Sequence, residues 1–262
     1  MRRIPGGFFP HAPGARTGGG GRPSPAPEGY STLPKSLRAD YACRFSAFIH
    51  AVVISLLSLV IVCRPGLFPE LQADRIFGTT PFSSGVYAIA GGYFVWDLVF
   101  CLLNFETSGW AFLMHAIGSL TLYSLVHAPY LHYYGAVFLL FELSTPLVHL
   151  RWLAIRHQWP SADFLTLAFG LSFIAVRGIF GWYQTIKYVM DVVAAYSQTE
   201  PRSMFWLYLV GNLFFNSLNI YWVMLMVRSY FRVQGKKKKA AAAAGGDGAA
   251  SPAKAAAKKK SQ

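Results

Sequence analysis

The sequence predicts an all-α fold, a polytopic membrane helical bundle of about six transmembrane helices around an interior cavity. Apolar residues make up 54% of the chain and aromatic residues 16%, yet the formal net charge is +13. The apolar residues fill about 45–230, whereas the basic residues concentrate in the two tails. A soluble domain rarely combines these properties, so the pattern indicates a membrane region with basic, solvated ends.

A spanning helix needs about 20 mostly apolar residues, and six segments come close to this length. They are Phe45–Cys63, Val86–Phe105, Trp110–Val126, Tyr130–His149, Phe164–Tyr183 and Phe205–Val227. The aromatic segment Phe180–Tyr196 is interrupted by polar residues. A seventh, broken or re-entrant helix in that segment is therefore an open alternative.

Basic residues predict the orientation, because short positively charged loops stay in the cytosol. With six spans, both tails lie on one side of the membrane. Of the 24 Lys and Arg residues, nineteen fall in the tails and in the loop between the fourth and fifth spans. Four fall on the opposite side, and Arg177 lies within a span. We therefore expect both termini in the cytosol.

The tails, residues 1–40 and 233–262, are expected to be disordered around a transmembrane domain of residues 41–232. Both tails lack the apolar residues that a folded core needs. Lys259 and Lys260 resemble the dilysine retrieval signal of the endoplasmic reticulum, which implies coat proteins as partners. Chance in a lysine-rich tail is the competing explanation. No folded basic surface accompanies the lysines, so nucleic-acid binding is not expected.

Three cysteines lie in or beside the predicted spans, at Cys43, Cys63 and Cys101. Their spacing fits no disulfide framework and no metal site. The sequence therefore predicts buried thiols, with neither a metal nor a cofactor.

Ionisable side chains inside the apolar segments are the strongest functional signal. A charge at the bilayer centre costs about 2.5 kcal/mol or more on insertion scales. The first five segments nevertheless contain His50, Asp97, His115, Glu142, His149 and Arg177. Because such side chains avoid lipid, we expect their faces to converge on one interior cavity.

Helical spacing shows which of these groups share a face. One stripe of the third segment contains His115, Ser119 and Leu122. A stripe of the fourth contains Glu142, Thr145 and His149, and Pro146 is expected to kink that helix. Structural roles remain open for several groups. His50 could form only a structural hydrogen bond to a neighbouring helix. Asp97 could form a structural salt bridge with Arg177, and Glu142 could be a protonated, hydrogen-bonded carboxyl group.

Several of these residues lie in runs that resemble the TLC (TRAM, LAG1 and CLN8) domain family. The runs are Gly92–Leu98, Met114-His115, Phe141–Pro146 with Arg151-Trp152, Val176-Arg177 and Asn219–Val227. The likeness covers about 41–232, and its most specific run, Phe141–Pro146, points to the subgroup of TLC domain-containing protein 4. The resemblance implies a multi-pass protein of the endoplasmic reticulum that acts in lipid homeostasis.

The chain departs from the ceramide synthases of that family at two motifs. Those enzymes carry a His-His pair, whereas Ala116 follows His115 here. The position of their His-Asp…Asp element is occupied by Phe141–Thr145. We therefore do not expect ceramide synthase activity, and whether the protein is an enzyme at all stays open.

Three functions remain compatible with the sequence. The leading one is a lipid protein that binds membrane lipids or acyl chains. Its site would comprise His115 as the candidate catalytic residue and, for lipid binding, His50, Asp97, Ser119, Glu142, His149 and Arg177. The alternatives are an acyltransferase-like enzyme with His115 as general base and a non-catalytic lipid sensor or trafficking factor. A channel is disfavoured because no filter loop or inverted repeat is evident. The oligomeric state is left open.

Overall fold

The computed structural model describes residues 30–125 and 128–246, with only the backbone described for 236–246. The described chain is helical and contains no strand, as the sequence predicts. Its α-helices are α1 Lys35–Cys63, α2 Pro69–Ala73, α3 Pro81–Leu103, α4 Phe105–Tyr123, α5 His132–Leu139, α6 Thr145–Arg156, α7 Ala162–Phe173, α8 Gly181–Ala194 and α9 Arg202–Gly246.

Five helical stretches in the described residues are long and apolar enough to cross a membrane. They are Lys35–Cys63, Pro81–Leu103, His132–Arg156, Ala162–Ala194 and Arg202–Gly235. The protein is thus a bundle of apolar membrane-type helices. Its first helix starts before residue 41 and its last continues beyond residue 232, the two predicted limits of the transmembrane domain.

The stretch His132–Arg156 joins two helices through a 3₁₀ segment, Leu140–Ser144. Pro146 explains the interruption, because proline lacks an N–H and its ring crowds the carbonyl four residues earlier. That carbonyl belongs to Glu142. The 3₁₀ segment ends just before Pro146, where the sequence predicts a kink, and it contains one of the predicted site residues.

The stretch Ala162–Ala194 passes through a π-helical segment, Ile174–Phe180, between α7 and α8. The helix continues without a break past Phe180, so no separate seventh span forms there among the described residues. The polar residues that suggested a broken helix lie in the second half of this long helix. About 33 residues at 1.5 Å each give roughly 50 Å, longer than the bilayer core.

Helix α4 corresponds to the predicted third span, Trp110–Val126. Gly109 has φ 76° and ψ 176°, outside the helical region, and interrupts the helix near its start. The regular part from Trp110 to Tyr123 is about 21 Å long, short of the roughly 30 Å hydrocarbon core. The helix therefore covers most of the predicted third span and ends three residues before its predicted end at Val126.

The residues after α4 complete the return of the chain towards the start of α3. A Cβ placed on Gly91, in the middle of α3, would lie 3.2 Å from the carbonyl oxygen of Tyr123, at the end of α4. Farther along, Leu131 N–H donates to the carbonyl of Ile76, just before α3, at 2.6 Å. The return from α3 to α5 therefore combines a short helix with non-helical residues.

The chain divides into two units, Met1–Asn219 and Ile220–Gln262. Small residues let helix α1 approach its neighbours in the first unit, namely Ala47, Ala51, Ser55 and Ser58, all buried. Small side chains at this spacing are typical of close helix packing in membranes. On the outside, large apolar side chains such as Phe164 and Ile179 are 70% and 72% exposed, as expected for surfaces that face lipid.

The second unit consists of the continuation of α9, whose helix is described to Gly246. The predicted retrieval signal at Lys259 and Lys260 lies outside the described residues. All the predicted site residues belong to the first unit.

Candidate functional site

The first unit contains an interior cavity that is partly open to the surroundings. Ligand pockets usually have mostly apolar walls with a few polar groups. Apolar and aromatic side chains dominate here as well, among them Phe94, Leu122, Phe138, Leu139 and Phe215. The walls of the cavity therefore have the apolar character that suits an apolar ligand.

A buried ion pair lies in the cavity wall between Glu142 and Arg177. Nη2 of Arg177 is 3.4 Å from Oε1 of Glu142, and their side chains are only 8% and 15% exposed. The other terminal nitrogen of Arg177 donates to Oδ1 of Asn219 at 3.1 Å. Two acceptors from different segments therefore hold the guanidinium in place.

The two irregular helical segments bring these charges together. Glu142 lies in the 3₁₀ segment and Arg177 in the π-helical segment, and the two segments are in contact. The guanidinium carbon of Arg177 lies 5.2 Å from the ring centre of Phe173 and 5.7 Å from that of Phe141. π-Helical turns occur frequently at functional sites, since the extra residue redirects a side chain.

The stripe of α4 that contains His115, Ser119 and Leu122 faces the cavity, as the helical spacing predicted. The ring of His115 packs edge-on against Phe215, with the ring centres 5.5 Å apart. It makes a second edge contact with Phe94 at 6.3 Å. His115 is thus an imidazole set among aromatic rings in the cavity wall.

Four predicted site residues line the cavity, namely His115, Ser119, Glu142 and Arg177. The other three, His50, Asp97 and His149, lie outside the lining. They remain close enough to Glu142 for an electrostatic interaction with its carboxylate. The structure therefore brings the ionisable groups into one neighbourhood but places only some of them at the cavity.

The three outlying residues have surroundings of their own. The ring of His50 stacks on Tyr93 with centres 3.7 Å apart. Asp97 accepts from the Cys101 thiol at 4.0 Å, and the carboxylate that pairs with Arg177 is that of Glu142. Both ring nitrogens of His149 are buried without a hydrogen-bond partner among the described residues. The 3₁₀ segment advances by three residues per turn, which rotates His149 away from the face of Glu142.

An asparagine face on α9 belongs to the site and was not predicted. Nδ2 of Asn216 donates to Oγ1 of Thr185 at 3.1 Å and to both oxygens of Asn212. Asn219 follows one turn later and contacts Arg177. The spacing of four and three residues was visible in the sequence as a polar stripe on an apolar helix, which is the signal that finds such groups.

Several tyrosines line the cavity, and their hydroxyl groups donate hydrogen bonds to carbonyl groups of the chain around it. Tyr87 donates to the carbonyl of Leu131 at 2.8 Å, and Tyr123 donates to that of Gly135 at 2.8 Å. Tyr208 donates to the carbonyl of Leu122, where α4 nears its end, at 2.9 Å. These bonds stabilise the non-helical return that leaves room for the cavity.

Fold and site together define a helical membrane protein with a partly open, mainly apolar cavity and a polar patch in its wall. The chain belongs to the TLC domain family, whose model (TRAM, LAG1 and CLN8) matches residues 41–228. This match confirms the predicted family and nearly all of the predicted extent.

Several relatives agree with the family and the predicted subgroup. An uncharacterised TLC domain-containing protein of Schizosaccharomyces pombe is 28% identical over 201 residues, covering 76% of this chain and 68% of the relative. Topoisomerase I damage affected protein 4 of Saccharomyces cerevisiae is 28% identical over 214 residues, covering 76% and 72%. Human TLC domain-containing protein 4 is 32% identical over 135 residues, covering 50% of each chain. The match thus spans about half the length of the human relative. No solved structure matches the chain.

Proposed function

We propose that this protein binds a membrane lipid or acyl chain in its interior cavity and thereby influences the lipid composition of the membrane. One observation carries the proposal: a cavity with aromatic and aliphatic walls lies among apolar membrane-type helices and has a buried ion pair in its wall. Apolar walls fit hydrocarbon chains, and a few fixed polar groups orient a headgroup. Glu142, Arg177, His115 and Ser119 form the polar part of this site.

The arrangement favours binding over acyl transfer. A general base needs an orienting partner and a substrate within hydrogen-bond reach. The carboxylate of Glu142 is engaged by Arg177, and Asp97 lies outside the cavity lining. His115 is the one group that keeps an enzymatic alternative open, because its ring lines the cavity within electrostatic range of Glu142.

We further propose a multi-pass protein of the endoplasmic reticulum with both termini in the cytosol. The short helix α4, together with the residues that follow it, supplies the return that the predicted six passages require. The excess of basic residues in the tails supports the orientation. The dilysine pattern at Lys259 and Lys260 supports the location and suggests coat proteins as partners.

Lipid profiles test the proposed function in cells. A strain that lacks the protein is complemented with the wild type, with His115→Ala or with His157→Ala, an exposed histidine that contacts Tyr41 away from the cavity. We expect an altered lipid profile in the deletion strain, rescue by the wild type and by His157→Ala, and failure of rescue by His115→Ala. A wild-type profile in the deletion strain would contradict the proposal.

Native mass spectrometry of the purified protein separates binding from catalysis. An intact lipid released from the protein on activation is the result that binding predicts. An acyl group bonded covalently to the chain would instead support the enzymatic alternative. Protein without any lipid, in a detergent that preserves the fold, would argue against both.

A further inference from the structure

The fixed charges of the cavity balance. Among the described residues that line it, Glu142 is the one carboxylate and Arg177 the one guanidinium, and no Lys or Asp joins them. With His115 as a neutral imidazole, the lining has no net formal charge. The two charges contact each other at 3.4 Å, so each has its counter-ion in the protein itself.

A charged headgroup would disturb this balance. A phosphate or carboxylate drawn to Arg177 would meet the carboxylate of Glu142 beside it, and like charges in a water-poor site repel strongly. An ammonium group drawn to Glu142 would meet the guanidinium in the same way. An uncharged polar group meets neither penalty.

The cavity also contains polar atoms that need partners. Oδ1 of Asn216 and the hydroxyl of Tyr188 are buried without a hydrogen-bond partner among the described residues. Both residues line the cavity, and their relative exposures are only 4% and 2%. Buried polar groups are usually hydrogen-bonded, so each such atom calls for an explanation.

The free oxygen of Asn216 has a defined chemical preference. Its amide nitrogen already donates to Thr185 and Asn212, so the oxygen is left as an acceptor. A matching ligand group carries an O–H or an N–H. Tyr188 follows Thr185 by three residues on α8, so its hydroxyl lies on the same helix face and can donate or accept.

We infer that the cavity takes an uncharged lipid with a hydroxyl or amide group at its polar end, and that it discriminates against phosphate- and carboxylate-bearing lipids. The inference rests on the proposed function and names its ligand class. The paired charges of Glu142 and Arg177 disfavour a charged lipid headgroup. Asn216 and Tyr188 receive the hydroxyl or amide.

A set of lipids with hydrocarbon chains of the same length and unsaturation tests the inference on the full-length protein in detergent. The probes are monooleoylglycerol, oleate, oleoyl lysophosphatidate and oleylamine, each competing with a radiolabelled monooleoylglycerol. We expect monooleoylglycerol to displace the label at concentrations at least tenfold below those of the three charged lipids. Equal or tighter binding of a charged lipid would overturn the inference while leaving lipid binding intact. Failure of every probe to bind would instead contradict the proposed function.

Charge variants test the proposed cause of selectivity. Glu142→Gln leaves the positive charge of Arg177 without its counter-ion. We therefore expect the affinity for oleate to rise at least tenfold relative to that for monooleoylglycerol. The double variant with Glu142→Gln and Arg177→Gln restores neutrality and should restore the wild-type order. A selectivity that stays the same in Glu142→Gln would overturn the role of the pair, and the double variant shows whether a change follows charge or loss of folding.

Hydroxyl removal tests the proposed contact with the headgroup. Tyr188→Phe keeps the ring and should weaken the binding of monooleoylglycerol about three- to tenfold. The binding of an oleyl hydrocarbon without a headgroup should stay unchanged. Tyr130→Phe is the matched control, since Tyr130 is also buried but does not line the cavity. An equal effect of both variants would contradict the contact at Tyr188.

Discussion

Two arginine–carboxylate pairs occupy very different places in this molecule. Arg177 and Glu142 meet in the cavity wall with side chains 8% and 15% exposed. Arg75 and Asp191 meet at 3.8 Å with side chains 40% and 37% exposed, where Tyr134 also donates to Asp191. The chemistry is the same, but only the inner pair is removed from solvent.

The two pairs differ in how much their loss would change the free energy of unfolding. Removing one partner of a buried pair costs about 3–5 kcal/mol, because the other charge remains without compensation. Exposed pairs contribute about 0–1 kcal/mol. A pair as costly as Glu142–Arg177, kept beside a cavity, is better explained by a role at that cavity than by stability.

The largest expected effect comes from breaking the inner pair. Arg177→Met should lower the free energy of unfolding by about 3–5 kcal/mol, because it strands the carboxylate of Glu142. Reversible unfolding in mixed detergent micelles measures the change. The double variant with Glu142→Gln and Arg177→Met should recover most of the loss, and a double variant as unstable as the single one would contradict an electrostatic cause.

A smaller effect is expected from the second acceptor of Arg177. Asn219→Leu removes the oxygen that receives Nη1 and should cost about 1–3 kcal/mol, the usual range for a buried donor left unsatisfied. Ser217→Ala is the control, since its exposed hydroxyl donates only within its own helix, to the carbonyl of Leu213. The same unfolding assay should show a change below about 0.5 kcal/mol for that control. Equal losses in the two variants would argue against the role of Asn219.

At the outer pair, the hydrogen bond from Tyr134 is expected to matter modestly. Tyr134→Phe should lower the free energy of unfolding by about 0.5–1.5 kcal/mol, since water can replace the lost donor at the partly exposed Asp191. A loss as large as that of Arg177→Met would show that the outer cluster is as important as the inner one.

The smallest expected effect is that of the exposed salt bridge itself. Arg75→Met should change the free energy of unfolding by less than about 1 kcal/mol, because exposed pairs gain little in water. The change should vanish at about 1 M salt, where the screening length is about 3 Å. The loss in Arg177→Met should stay the same at that salt concentration. A salt-dependent inner pair would contradict its burial.

The apolar segments of the sequence predicted much of the fold, because membrane helices are encoded locally by length and composition. Four of the six predicted spans correspond to helices that overlap them closely. The third, Trp110–Val126, corresponds to the regular part of α4, which ends earlier, at Tyr123. The fifth was predicted to end at Tyr183, because polar side chains follow Phe180. The helix in fact continues to Ala194.

The site was predictable to the extent that its residues share one helix face. His115 and Ser119 on α4 were found in this way. Glu142 lies in a 3₁₀ segment and Arg177 in a π segment, and both segments have a different number of residues per turn from an α-helix. A spacing of 3.6 residues per turn therefore does not show that the two side chains meet. The asparagines of α9 were visible as a stripe, but they carry no charge and so gave a weaker signal than Asp97 or His149.

Photo-crosslinking with a lipid tests the central claim most directly. A monooleoylglycerol with a photoreactive group in its chain is irradiated with the full-length protein in detergent, and the modified peptides are identified by mass spectrometry. We predict labelling of cavity residues such as Phe94, Phe138 and Phe215, suppressed by excess unlabelled monooleoylglycerol. Labelling confined to outward-facing residues such as Phe164 and Ile179, unaffected by competitor, would contradict a lipid site in the cavity.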